Sequence, residues 1–325
     1  MPAALPSAKR PPLTPLEPKT LLLGVLALVA AGFAVFWLHQ LRTPPDGGEE
    51  GTEVGRPGAA SVLIGVLTDF LDTLGVGSFA TTTALFRFLR LVPDRLIPGT
   101  LNVGHALPSV AQALVFIAIV EVEARTLTLM IAASVAGAWL GAGVVAGWSR
   151  RRVLVGMGCA LLVAAGLMLR QLLGGAPAGA DAVALDGTRL LLGAGGNFVL
   201  GALMTIGVGL YAPCMILVSL LGMNPTAAFP IMMGSCAFLM PVAGVRFIRG
   251  NAYAPRASVG LTLGGVPAVL VAAFLVRSLP LGAVRVLVLA VVVYTALAML
   301  RAAAIDACAA RGVRPATPDL ERETT

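Results

Sequence analysis

The sequence predicts an all-α polytopic membrane protein made of two homologous repeats in inverted orientation, each opening with a glycine-broken apolar segment. Three observations carry this expectation. First, 58% of the 325 residues are hydrophobic and only 12% are charged, with a mean hydropathy of +0.91, whereas a soluble domain carries about a quarter charged residues. Second, one stretch recurs 132 positions later: Leu71, Thr73, Gly75, Val76, Gly77, Ala80, Leu85, Leu89, Pro93 and Pro98 are matched by Leu203, Thr205, Gly207, Val208, Gly209, Ala212, Leu217, Leu221, Pro225 and Pro230. The two glycine and two proline pairings are not explained by apolar composition alone, and duplicated halves are characteristic of secondary transporters. Third, the net charge of +7 comes from basic residues placed between apolar runs, which reads as topology signal and not as a nucleic-acid surface.

In chain order, residues 1–20 form a polar, Pro-rich tail, and 21–41 an apolar run long enough to span a bilayer. This run reads as a retained anchor and not as a removed signal peptide, because it starts late and ends polar. Residues 42–60 form a solvated linker rich in Pro, Gly and acid. The first repeat covers 61–173, with apolar segments near 61–91, 97–120, 126–148 and 153–173. A Gly/Ala linker at 174–188 leads to the second repeat, 189–301, with segments near 189–221, 226–248, 257–279 and 283–301. A polar tail occupies 302–325.

Basic loops give the orientation. Arg150, Arg151 and Arg152 lie between the third and fourth segments of the first repeat, and Arg246, Arg249 and Arg256 between the second and third of the second. If both are cytoplasmic, the repeats are opposed, and each must cross an odd number of times. The segment that fails to cross whole is the first, because 61–91 as one straight helix measures ~47 Å against a ~30 Å core. Gly75-Val76-Gly77 interrupts it, and Gly207-Val208-Gly209 interrupts its copy.

Such breaks are where chemistry is expected. The start of a half-helix presents free N–H groups that hold an anion without a formal charge, and irregular backbone at membrane depth is tolerated where it lines a cavity. Gly75, Gly77, Ser78, Thr81 and Thr82 at the first break, Gly207 and Gly209 at the second, and Asn102 on the next segment are the candidate substrate-binding residues. The plainer alternative is that the glycines only let helices pack closely. Asp72, Asp69 and His105 are the candidate proton-coupling residues. Two carboxylates one turn apart in an apolar segment need water, a partner or a proton, and imidazole exchanges protons near neutrality. The alternatives are that Asp72 caps the break, that Asp69 faces water and that His105 is a packing residue. Cys159, Cys214, Cys236 and Cys308 show no ligand spacing and read as structural thiols, so neither metal nor cofactor is expected.

The stretches LTDFLDTLGVGSFATTTALFRF at 67–88, IPGTLNVGHALPS at 97–109 and ALMTIGVGLYAPCMILVSLLGMNPTAAFPIMMGS at 202–235 resemble the sulfite exporter TauE/SafE family of permeases. The likeness runs from about Ser61 to Arg301 and leaves the anchor outside. This chain has Ser78-Phe79 and Leu210-Tyr211 where the family carries a longer glycine cluster. The resemblance implies a multi-pass permease of the cell membrane that moves sulfur-containing oxyanions or organosulfonates on an ion gradient. Its partners would be a small anion and the bilayer, and no nucleic acid. No Walker A, HExxH or GxSxG pattern occurs, so neither ATP drive nor an enzyme is expected. Two readings compete: a cation or metal-ion path through Asp69 and Asp72, and a membrane assembly factor that transports nothing.

Overall fold

Apolar runs of this length in lipid satisfy their backbone polar groups internally by forming helices. The computed structural model describes residues 18–42, 58–145, 149–173, 182–204, 210–278 and 281–310, and among these residues no strand forms. The helices are α1 (Pro18–Arg42), α2 (Ala59–Thr73), α3 (Ser78–Leu89), α4 (Ile97–Gly104), α5 (Ala106–Ile119), α6 (Ala124–Val145), α7 (Arg150–Leu173), α8 (Gly187–Met204), α9 (Tyr211–Leu220), α10 (Ala228–Arg249), α11 (Pro255–Ser278) and α12 (Leu281–Ala310). Short 3-10 turns at Asp94–Leu96 and Pro225–Ala227 lead into α4 and α10.

Five spans among the described residues are long and apolar enough to cross a bilayer: Pro18–Arg42, Asp94–Ile119, Ala228–Arg249, Pro255–Leu275 and Val286–Ala307. Large apolar side chains on the outside, such as Trp139 at 77% and Phe274 at 76% exposure, suit a surface facing lipid. The protein is a multi-pass, all-α membrane protein.

Helix pairing follows the small residues. α2 packs on α11 and α6 on α8, while α4 and α5 pack on α10 and α7 on α12. In the first pair, a Cβ on Gly65 would strike the Leu261 backbone, and one on Gly264 the Val62 carbonyl. In the second, Gly137 abuts the Phe198 carbonyl and Gly201 the Ser134 carbonyl. Without a hydrophobic drive between helices in lipid, such close backbone approach supplies the packing.

Two local breaks position the site. α2 stops at Thr73, Gly75 and Gly77 take φ of +98° and +85°, and α3 starts at Ser78; positive φ is easy for glycine and costly for other residues. The second break is at His105, between α4 and α5. Pro108 has no N–H for the Gly104 carbonyl four residues back, and the Thr262 hydroxyl of α11 donates to that carbonyl instead, at 2.6 Å.

Two features of the ends add to the sequence reading. The anchor at 21–41, set outside the repeats by the sequence, packs on α10, α5 and α6. Leu26, Phe33 and Trp37 make its buried stripe, Phe33 lies against Gly244, the Arg249 guanidinium sits 5.5 Å over the Phe36 ring, and Lys19 donates to the Val120 carbonyl at 3.0 Å. The polar tail expected from 302 begins later, because α12 runs on to Ala310; the Ala-rich stretch after Arg301 has high helix propensity. The expected tail at 1–17, most of both linkers and residues 311–325 lie outside the described residues.

Candidate functional site

Asp69 and Asp72 are three apart on α2, so both face the bundle, and both are buried. Asp69 Oδ1 lies 2.8 Å from His105 Nδ1, and His105 Nε2 lies 3.1 Å from the Thr82 hydroxyl of α3. All three side chains are fully buried. A neutral imidazole fits this chain with Nδ1–H donating to Asp69 and Nε2 accepting from Thr82. Asp69 Oδ2 has no hydrogen-bond partner among the described residues and packs against Gly265 of α11. An unpaired buried carboxylate oxygen is costly, and a proton on it would remove the charge.

Asp72 is held by three donors from three other elements. The Ser78 N–H, first in α3, donates to Oδ1. Gln112 Nε2 of α5 donates to Oδ2 at 2.9 Å, and the Tyr211 hydroxyl of α9 lies 3.2 Å from the same oxygen. Gln112 Nε2 also reaches the Thr73 hydroxyl at 3.0 Å, and Tyr211 lies 3.1 Å from Gln112 Oε1. The carboxylate therefore occupies a ready-made oxyanion cradle. The free N–H expected at the start of α3 is taken up by Asp72 itself.

The cradle opens on a cavity of about 70 Å³ lined by Asp72, Gly77, Ser78, Phe79, Ser109, Met204, Tyr211, Cys236, Met240 and Thr295 among others. One water needs roughly 10–15 Å³ on this measure, so the space suits a small ion and little else. The Thr295 hydroxyl lines the cavity and has no hydrogen-bond partner among the described residues. Among the described lining residues there is no Lys or Arg, and Asp72 is the one acid.

Of the other residues marked from sequence, Gly77 and Ser78 line the cavity, and Gly75 is buried beside Met215. Thr82 belongs to the His105 chain. Thr81 turns back on its own helix, donating to the Ser78 carbonyl at 2.9 Å. Asn102 donates to the Pro98 carbonyl at 2.9 Å and is not among the lining residues. Gly207 and Gly209 lie outside the described residues. Gln112 and Tyr211, which complete the site, are not among the residues that the sequence singles out. At an offset of 132, Asp72 is matched by Met204, Phe79 by Tyr211, His105 by Ala237 and Gln112 by Gly244, so the two halves of the chain differ in polarity where the site lies. No known protein family, curated protein or solved structure matches the chain.

Proposed function

We propose that the chain is a proton-coupled secondary transporter of small oxyanions, sulfur-containing ones above all, built from two inverted repeats like the TauE/SafE permeases that its sequence resembles. The observation that carries this reading is the set of donors from Ser78, Gln112 and Tyr211 around the Asp72 carboxylate at the edge of a small cavity. What holds a carboxylate there would hold a substrate oxyanion equally well.

While Asp72 is ionised it fills the cradle and repels a second anion, by about 4 kcal/mol for unit charges ~4 Å apart at an effective dielectric of 20. Protonation of Asp72 weakens its hold on the donors and removes the repulsion, so proton and anion bind together and leave together. The groups that face Asp72 are Gln112 from α5, Tyr211 from α9 and Ser78 from α3, with the Asp69 and His105 pair beside it on α2 and at the α4–α5 junction. That pair, with Thr82, is a chain along which a proton can be held and passed.

The repeat reading is supported by the order of elements. Displaced by 132 residues, α2 falls on α8, α3 on α9, α4 with α5 on α10, α6 on α11 and α7 on α12. Packing respects the exchange: α2 on α11 becomes α8 on α6, while the pairs α5 with α10 and α7 with α12 map onto themselves. Helices pair in this way across an internal two-fold axis.

The acidic cavity without a base also favours a second reading, a cation path through Asp72. One experiment separates them: purified protein in liposomes is offered labelled sulfite, thiosulfate, sulfonates, carboxylates and monovalent cations, with and without a pH gradient. Uptake of an oxyanion that accelerates when the destination is alkaline is the expected result. Cation flux with no oxyanion flux would overturn the reading.

A further inference from the structure

The second half of the chain brings three sulfur side chains to this cavity, a feature that the oxyanion reading does not use. Cys236 and Met240 stand one turn apart on α10, Met204 ends α8, and all three line the cavity. The Cys236 thiol donates to Met204 Sδ at 3.9 Å, and the Ser109 hydroxyl donates to Met240 Sδ at 3.0 Å, which fixes that thioether and leaves its second lone pair free. Cys236 forms no disulfide.

We propose that Cys236, Met204 and Met240 form a binding site for a monovalent soft metal ion, Cu(I) in the first instance. One thiolate and two thioethers are the soft donors that select Cu(I) over harder ions. Zinc asks for Cys, His or carboxylate ligands, usually four, and among the described residues no group of three His, Cys, Asp or Glu is placed to hold a metal. Calcium and magnesium need a shell of oxygens. Charge points the same way: Cu⁺ on one thiolate is neutral overall and avoids a net charge at membrane depth. On binding, the Cys236 S–H bond breaks and an S–Cu bond forms without electron transfer. The proton passes to the Asp72 carboxylate, which lines the same cavity.

This proposal is independent of the oxyanion reading, because the test measures binding without any substrate or flux. The full chain, purified in detergent under a thiol-free reductant, is titrated against the coloured Cu(I)–bicinchoninate complex. The wild type is expected to withdraw one equivalent of Cu(I), with X-ray absorption reporting a shell of sulfur alone. Cys236→Ser should compete more than ~100-fold less well, beyond the range typical of lost outer-shell partners, and Met240→Leu about tenfold less well. Cys159→Ser and Cys214→Ser should bind as the wild type does. Circular dichroism and monodispersity are followed for each variant, and if Cys236→Ser is misfolded the near-isosteric Met240→Leu decides. A wild type that leaves the chelate intact, a Met240→Leu protein of unchanged affinity, or a folded Cys236→Ser protein that binds like the wild type would each overturn the proposal.

Discussion

Replacing Asp72 by asparagine separates the charge from the shape of the cradle. The new side chain keeps an oxygen for the Ser78 N–H, but its amide nitrogen then faces Gln112 Nε2 and the Tyr211 hydroxyl, both of which are drawn to Asp72 Oδ2 in the native protein. Rotation of the Gln112 amide restores one donor–acceptor pair and turns Nε2 toward the Tyr211 oxygen, which then accepts from a neutral amide where it had donated to a charge. Hydrogen bonds to a charged group contribute ~1.5–3 kcal/mol and neutral ones ~0.5–1.5, so the exchange loses about 1–2 kcal/mol for each bond. Against this stands the removed cost of burying an ionised carboxylate, several kcal/mol, and the variant should insert and fold. Transport is affected differently. A monoanion moved with one proton accumulates tenfold per unit of pH gradient, because one unit is ~1.4 kcal/mol. Wild-type proteoliposomes under a one-unit gradient are expected to approach that tenfold accumulation. Asp72→Asn should exchange labelled anion across the membrane at zero gradient yet accumulate none. Full tenfold accumulation by Asp72→Asn would refute the coupling role and make the carboxylate a structural cap of α3.

Further expectations follow from particular positions. Gly77 has open space around its missing side chain but a φ of +85°, so Gly77→Ala should destabilise by about 1–2 kcal/mol through backbone strain and slow flux, read by denaturation in detergent and by uptake. At Gly264 the neighbour is the Val62 backbone; Gly264→Leu should part α2 from α11, destabilise by ~1–3 kcal/mol or more and lower the yield of monodisperse protein. His105→Gln removes the imidazole between Asp69 and Thr82 and should slow proton-coupled uptake at least tenfold while leaving anion exchange at zero gradient nearer to wild type, measured in the same liposomes. Arg151 and Arg249 are both exposed at helix ends, and cysteines placed there in a chain freed of its native thiols should both react only from the cytoplasmic side; opposite labelling would exclude the inverted arrangement.

What the sequence made legible was what repeats or what costs energy in lipid. The break at Gly75 and Gly77 and the exceptional Asp69, Asp72 and His105 stand out because lipid tolerates neither irregular backbone nor charge without cause. Asn102 and His105 stand three residues apart on one polar stretch, but the Asn102 amide turns to the Pro98 carbonyl while the imidazole turns inward. Only packing separates the two. Gln112 and Tyr211 reach Asp72 from 40 and 139 residues away, and no local spacing encodes such a contact. The packing of α1 was hidden for a related reason. Its apolar residues run all round the helix, so the stripe of Leu26, Phe33 and Trp37 that faces the bundle cannot be told from the face turned to lipid.

The two halves of the chain divide the work of one cavity unequally. Asp69, Asp72, Ser78, Thr82, His105 and Gln112 all come from the first, where every titratable group of the site but Tyr211 and Cys236 is placed; the second supplies Met204, Tyr211, Cys236, Met240 and Thr295. A symmetric pair of acidic cradles facing each other would put two carboxylates in one small low-dielectric space, and like charges there resist ionising together. Keeping one carboxylate and replacing its counterpart by the thioether of Met204 avoids that conflict. Restoring symmetry tests the argument: Met204→Asp should force Asp72 and the new acid to share a proton, so the double acid should retain anion exchange at zero gradient but shift its pH response to higher pH, because one of the two stays protonated further up the scale. An unchanged pH response in liposomes would mean that position 204 does not reach the cavity charge, and that the unequal division has no electrostatic origin.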